Sequence, residues 1–245
     1  MSNLILSHEN SGVFSITLNR LDKKNALNTD MYQQLVDLFR HASKTKSIHC
    51  VLIQGDSSCF CAGNDLDDFI KNSDSKDLAA FEFIKVLASF EKPIVASVAG
   101  AAVGIGSTIL LHCDMVIAAT NSKFKLPFTQ LGLCPEAGSS FLLTRLVGQQ
   151  KAFELMVLGK GFNAFEAVQY GIANEACEPE EVLAKGLSVA NSIAALPLDA
   201  LLTSRKLIRD ASATILQQVM VNEAHEFGRL VEGDECKTIL KQFFK

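Results

Sequence analysis

Tryptophan is absent from this 245-residue chain, tyrosine occurs twice, and lysine plus arginine (23) fall short of aspartate plus glutamate (27). Without a basic block or interleaved aromatics, the charge footprint and stacking platforms of a nucleic-acid binder are missing, and no nucleic-acid partner is expected. Seven cysteines make an odd count in a chain too long to need disulfide staples, and Cys59-x-Cys61 lacks the two-residue spacing of zinc ribbons. Reduced thiols and no metal site are expected. The opening MSNLILSHEN has no basic region leading into an apolar core, and the closing KQFFK is not a peroxisomal tripeptide, so the expected location is cytoplasmic. Runs long enough to cross a bilayer are also lacking. The most apolar stretch, SVAGAAVGIGSTILLHCDMVIAA (97–119), comes near that length but carries glycines, His112 and Asp114. No membrane association is expected; a strand, a glycine-started helix and a second strand fit better.

What is present is a 48% hydrophobic composition, enough for one main domain with a sizeable core. VFSITLNR (13–20) alternates like a half-buried strand, and TDMYQQLVDLFRHASK (29–44) has apolar residues at helical spacing behind a threonine cap. CVLIQG and IVASVAG are short, β-branched apolar runs ended by glycine, as expected of strands covered on both faces. After Gly148 the pattern turns almost purely helical, through KAFELMVLG, FEAVQYG, EEVLAKGLSVANSIAAL, PLDALLTSRKLIRDA and TILQQVMVNEAHEFGRLVEG. An α/β core followed by a helical C-terminal region is therefore predicted, with the change of pattern at the end of LLTRLVG.

Three segments can carry chemistry. SSCFCAGNDLDDF (57–69) follows a strand and precedes a predicted helix containing Leu66, Phe69 and Ile70. It is either an ordinary strand-to-helix turn or a cradle of backbone N–H groups aimed at an anion. VAGAAVGIGST has glycines at 100, 104 and 106, which is not the dinucleotide-binding spacing. The glycines either let a helix pack closely or present the N–H groups of residues 104–106 at a buried helix start. In LGLCPEAGSS (131–140), Glu136 is either a first-turn partner of the helix dipole or a desolvated carboxyl able to move protons. Cys134 reads as a packing residue, and Ser139 and Ser140 as packing or capping residues. Backbone donors together with one carboxylate suit proton abstraction next to a carbonyl, without a metal or a nucleophile.

FCAGNDL, KPIVASVAGAAVGIGSTILLHCDMVIAA and FKLPFTQLGLCPEAGSSFLLTRLVG resemble, in order and spacing, the crotonase superfamily, the enoyl-CoA hydratase/isomerase family. The resemblance runs from ITLNRLDKKNALNTDM through FEAVQYGIANEA, most of the chain. It implies an α/β spiral of repeated β-β-α units over residues 1–190. A helical trimerisation region over 191–245 follows, giving homotrimers that often pair into hexamers. It also implies an acyl-CoA thioester as substrate, with no cofactor beyond the CoA that the substrate carries. By position, the thioester oxygen would rest on the N–H groups of Asn64 and Ile105. The two acids that family hydratases use fall here on Thr108 and Phe128.

Glu136 instead matches the base in the PEG-like motif of the peroxisomal-type Δ3,Δ2-enoyl-CoA isomerases, which serve fatty acid β-oxidation. The chain departs from that branch in having Cys61 for serine, Ala101 for proline and Ala137 for glycine. The resemblance further places the Ala62 carbonyl at adenine, Gly63, Asp65 and Leu66 along the bound thioester, and Lys23 and Lys24 on a loop near the nucleotide. Loss of the hydratase acids leaves two other readings open: a hydratase or thioesterase with Glu136 acting on water, or a non-catalytic CoA-binding interaction module.

Overall fold

A computed structural model describes residues 3–68 and 79–242. The chain begins with a hairpin of β1 (Ile5–Asn10) and β2 (Val13–Leu18), joined through Ser11 and Gly12, both at positive φ (51° and 84°). A two-residue turn of that hand matches the natural twist of the strands. From β2 onward the sheet is parallel, through β3 (Cys50–Gln54), β4 (Ile94–Val98), β6 (Met115–Ala119) and β9 (Glu175–Cys177), in the order β1-β2-β3-β4-β6-β9. A smaller sheet holds β5 (Ala101–Val103), β7 (Lys123–Lys125) and β8 (Phe162–Asn163).

Both faces of the large sheet are covered, which is why its strands read as unbroken apolar runs. Along β3, Val51 and Ile53 enter the main core with α1 (Thr29–Lys44) and α2 (Ala79–Ser89), while Cys50 and Leu52 pack with Val95, Ala190 and Ala194 on the side of α7 (Val182–Ala194). α7 lies close to the sheet at Gly186, where an added Cβ would sit 1.8 Å from Ser97 Oγ. The repeat expected of the spiral is visible in the chain order. β4, β5 and the four-residue α3 (Ile105–Thr108) form one β-β-α unit; β6, β7 and α4 (Ser139–Val147) form the next. α5 (Gln149–Met156) and α6 (Ala164–Gln169) lead to β9.

Several expectations are corrected. The cap of α1 is Asn28, whose Oδ1 accepts the N–H of Met31 at 3.0 Å; Thr29 is already helical. The region after Gly148 is not purely helical, since β8 and β9 lie within it and β9 forms an edge of the large sheet. The two helices expected between residues 197 and 233 are one 34-residue helix, α8 (Leu198–Val231), followed by α9 (Asp234–Gln242). Ser212 marks the expected break, but its hydroxyl bonds back to the Arg209 carbonyl at 3.3 Å and the helix continues. The helix expected from Leu66 starts as foreseen over residues 66–68; Phe69 and Ile70 lie outside the described residues. All seven cysteines are free. Among the described residues no single helix is long and apolar enough to cross a membrane.

α8 is tied to the ends of the sheet by two arginines. Arg205 Nε donates to Asp114 at 2.8 Å and its Nη1 to the Phe90 carbonyl at 2.7 Å. Arg209 reaches the carbonyls of His112 and Ala88 at 3.0 and 3.3 Å. Asp114 also accepts the first N–H of β4 at 2.8 Å. Further along, Leu216, Met220, Glu223 and Phe227 share one face of α8 by their spacing, with Phe227 joining Leu133, Val231, Cys236 and Leu240 in a satellite core.

Candidate active site

Three chain segments are laced together by the side-chain amide of Asn25 and by backbone hydrogen bonds. Asn25, fully buried at φ 54°, accepts the Arg20 N–H at 2.7 Å and donates to the carbonyls of Cys59 and Phe60 at 3.2 and 3.0 Å. Lys24 accepts the Ala62 N–H at 3.0 Å, Leu27 donates to Gly63 at 2.8 Å, and Asp65 donates to Leu27 at 2.8 Å. On the other side, Cys61 donates to Ala101 at 2.8 Å and Val103 donates to Cys61 at 3.0 Å. The backbones are so close that a Cβ at Gly106 would meet the Cys61 carbonyl oxygen at 2.5 Å, and one at Gly63 the Val103 oxygen at 2.9 Å. Gly106 supplies close approach, and Gly63, at φ 100°, supplies both close approach and a backbone conformation that side chains disfavour.

This lacing does not use the N–H groups of Asn64 and Ile105. Leu27 bonds to the residues on either side of Asn64, and Gly104, at φ 55° and ψ −121°, turns the chain so that Ile105 opens α3. Among the described residues, the N–H groups of Asn64 and Ile105 donate to no acceptor. They flank the Cys61–Gly106 contact, which joins the two turns that the sequence offered as donor sites. The Asn64 side chain is fixed by Tyr32 of α1, whose hydroxyl donates to Asn64 Oδ1 at 2.5 Å.

Glu136 stands three residues before α4 and is buried, with 5% exposure. The hydroxyl of Thr108, at the end of α3, donates to Glu136 Oε1 at 2.5 Å. Burial pushes the Glu136 carboxyl up to about 8, opposed by the Thr108 hydrogen bond and reinforced by the charge of Glu223. Its loop carries left-handed residues at Gly132, Ala137 and Gly138, and the Ala137 carbonyl accepts Nε2–H of buried His112 at 2.7 Å. Burial pulls His112 down to about 4, so a neutral ring braces this loop. Burial also raises the Cys134 thiol to about 11 and the Cys61 thiol to about 12, leaving both as uncharged packing groups near neutral pH.

Asn64, Ile105 and Glu136 are therefore gathered through α3, with Thr108 linking Ile105's helix to the carboxyl. The other expected residues divide. The Ala62 carbonyl accepts no hydrogen bond among the described residues and Lys23 and Lys24 are exposed, whereas the Gly63 carbonyl is spent on Leu27. The Asp65 carboxylate pairs with Arg20 at 2.7 Å and accepts the N–H groups of Asp67 and Asp68 at 3.1 and 3.3 Å. Leu66 packs on the satellite core around Phe227. Tyr32 and Glu223 are partners the sequence reading missed, while Thr108 and His112 entered it only as the position of a hydratase acid and as a polar break in an apolar run. Glu223 left a signal as well, a carboxylate lying within the apolar stripe of a helix.

The model of the family described as enoyl-CoA hydratase/isomerase matches residues 8–245. The chain is similar to the 1,2-epoxyphenylacetyl-CoA isomerase of Escherichia coli, at 33% identity over 88% of this chain and 86% of that one. It is similar to human enoyl-CoA delta isomerase 2 at 32% identity over 98% of this chain, which spans 62% of the human protein. The crystal structure of an enoyl-CoA hydratase/isomerase from Pseudoalteromonas atlantica superposes with a TM-score of 0.94, at 37% identity, covering 99% of this chain and 97% of that one.

Proposed function

The chain belongs to the enoyl-CoA hydratase/isomerase (crotonase) family of acyl-CoA enzymes, and from that premise we propose that it shifts the double bond of a 3-enoyl-CoA to give the 2-trans-enoyl-CoA. Glu136 takes a proton from C2, and the C–H electron pair becomes a C1=C2 bond as the carbonyl π pair moves onto oxygen. The oxygen of the resulting dienolate, conjugated with the C3=C4 bond, rests on the N–H groups of Asn64 and Ile105. The carboxyl then returns the proton at C4. One residue serves as base and then as acid, and CoA enters and leaves as part of the substrate.

The observation that carries this reading is the Thr108–Glu136 hydrogen bond. Where the family's hydratases keep an acid, this chain has a neutral hydroxyl held on the remaining carboxyl, which favours carrying a proton within the acyl chain over adding water. A carboxyl with its midpoint near 8 is a strong enough base to work on a C–H and can hold the proton between steps. We propose further that the chain works as a homotrimer. Leu207 and Ile208, 72% and 78% exposed on α8, support an interface there.

A panel of 3-enoyl-CoAs of varied length tests the activity. We expect conversion to the 2-trans isomer without uptake of water oxygen, and a loss of 10²–10⁴-fold in kcat for Glu136→Gln. Near-parental turnover in that variant would rule out the assignment, hydration or hydrolysis products would replace it with another family activity, and CoA binding without turnover would make the chain a binding module.

A further inference from the structure

A second buried carboxyl reaches the same loop from the far end of the chain. Glu223 of α8, 9% exposed, accepts the Gly138 N–H on Oε2 at 2.6 Å, and the Ser140 N–H and hydroxyl on Oε1 at 3.0 and 2.5 Å. α4 has no cap of its own, because Gly138 at its N-cap has no side chain. Glu223 thus supplies from another helix the acceptors that the first turn of α4 lacks. The contact is tight: a Cβ at Gly138 would fall 2.3 Å from Leu216 Cδ1. Glu136 lies two residues before Gly138, so its loop cannot shift without breaking this clamp.

We propose that Glu223 is a positioning residue for Glu136: through the N-terminus of α4 it holds the loop that carries Glu136, and it sets a second carboxylate beside the first. The inference rests on the reading of Glu136 as the proton carrier. Thr108 of α3 and Tyr32 of α1 face Glu136 as neutral hydroxyls, and His112 braces the adjoining carbonyl as a neutral ring. Arg205 and Arg209 act on His112, and the Cys134 thiol, Ser140 and Gly138 face Glu223. Among the described residues Glu223 is the one charged group acting on Glu136. A negative neighbour favours the protonated form, so it strengthens Glu136 as a base; removing the charge lowers the midpoint.

The test is carbon-13 NMR of the full chain labelled at glutamate side-chain carboxyls, with the Glu136 signal identified by its absence in Glu136→Gln. In Glu223→Gln the Glu136 midpoint should fall by about 0.5–1 pH unit, and the acid limb of kcat/KM should move with it. A purely structural role would alter stability and leave the midpoint in place, so an unchanged midpoint in the folded variant overturns the proposal. Glu223→Asp keeps the charge but withdraws it by one methylene. It should lose about tenfold in kcat with KM within about twofold, as expected when positioning fails. Parental kcat in that variant also overturns the proposal. The NMR midpoint reads Glu136 whether or not 3-enoyl-CoA is turned over, so absent isomerase activity would refute the proposed function separately.

Discussion

At Thr108 a single hydroxyl stands where the family resemblance puts a hydratase acid, and it tunes the carboxyl of Glu136. Its hydrogen bond holds Glu136 lower than burial alone would. Thr108→Val removes the donor while keeping the shape, so the folded-state midpoint rises above about 8 and Glu136 is ionised over a narrower range at high pH. The acid limb of kcat/KM should move up by about one unit, with activity near pH 7 falling about tenfold; a pH–rate series across pH 6–10 checks this. Ala137 shows a different kind of cost. Where the isomerase motif has glycine, this chain holds an alanine at φ 57°, which costs an L-residue about 1–2 kcal/mol. His112 grips the carbonyl of that same residue, so the turn is held closed by a buried hydrogen bond.

Among the elements, α7 and β4 offer a direct trial of packing. Gly186→Ala alone drives a methyl into Ser97 Oγ and should destabilise. That oxygen is itself buried without a partner, and without it the nearest Ser97 atom stands 3.2 Å from the added methyl. Combined with Ser97→Ala, the helix-propensity gain of about 1 kcal/mol should return stability to the parental level or above; urea unfolding of the two single variants and the double checks it.

α1 and the long strands were legible because their periodicity spans enough residues to stand out, as Leu35, Val36 and Phe39 do on α1. β5, β7, β8 and β9 are two or three residues long, too short for any period, and are held by the sheets they join. The cap of α1 slipped by one because Asn28 and Thr29 both make good caps. α8 was divided because Ser212 and Thr214 are weak helix formers, yet neither removes a hydrogen bond as proline would. At the site, Glu136 was marked by its apolar surroundings. The dipole-partner reading of Glu136 gives way in the structure, which puts Glu223, and not Glu136, on the start of α4.

For the molecule as a whole, the proposed homotrimer predicts light scattering at three times the chain mass. Leu207→Asp with Ile208→Asp should lower that mass, since two carboxylates would be buried in an apolar contact without partners. The length of α8 has a metrical consequence. Arg205, fastened to the sheet, and Glu223, fastened to the loop of Glu136, are separated by a whole number of helical turns, about five, spanning about 27 Å. The helix works as a ruler whose graduations are turns, so phase matters as much as distance. One alanine inserted near Ser212 would leave both ends helical yet swing Glu223 by about 100° out of phase. The sheet should keep its stability while the Glu136 midpoint and kcat fall together, a fault in the site caused by a miscount elsewhere in the molecule.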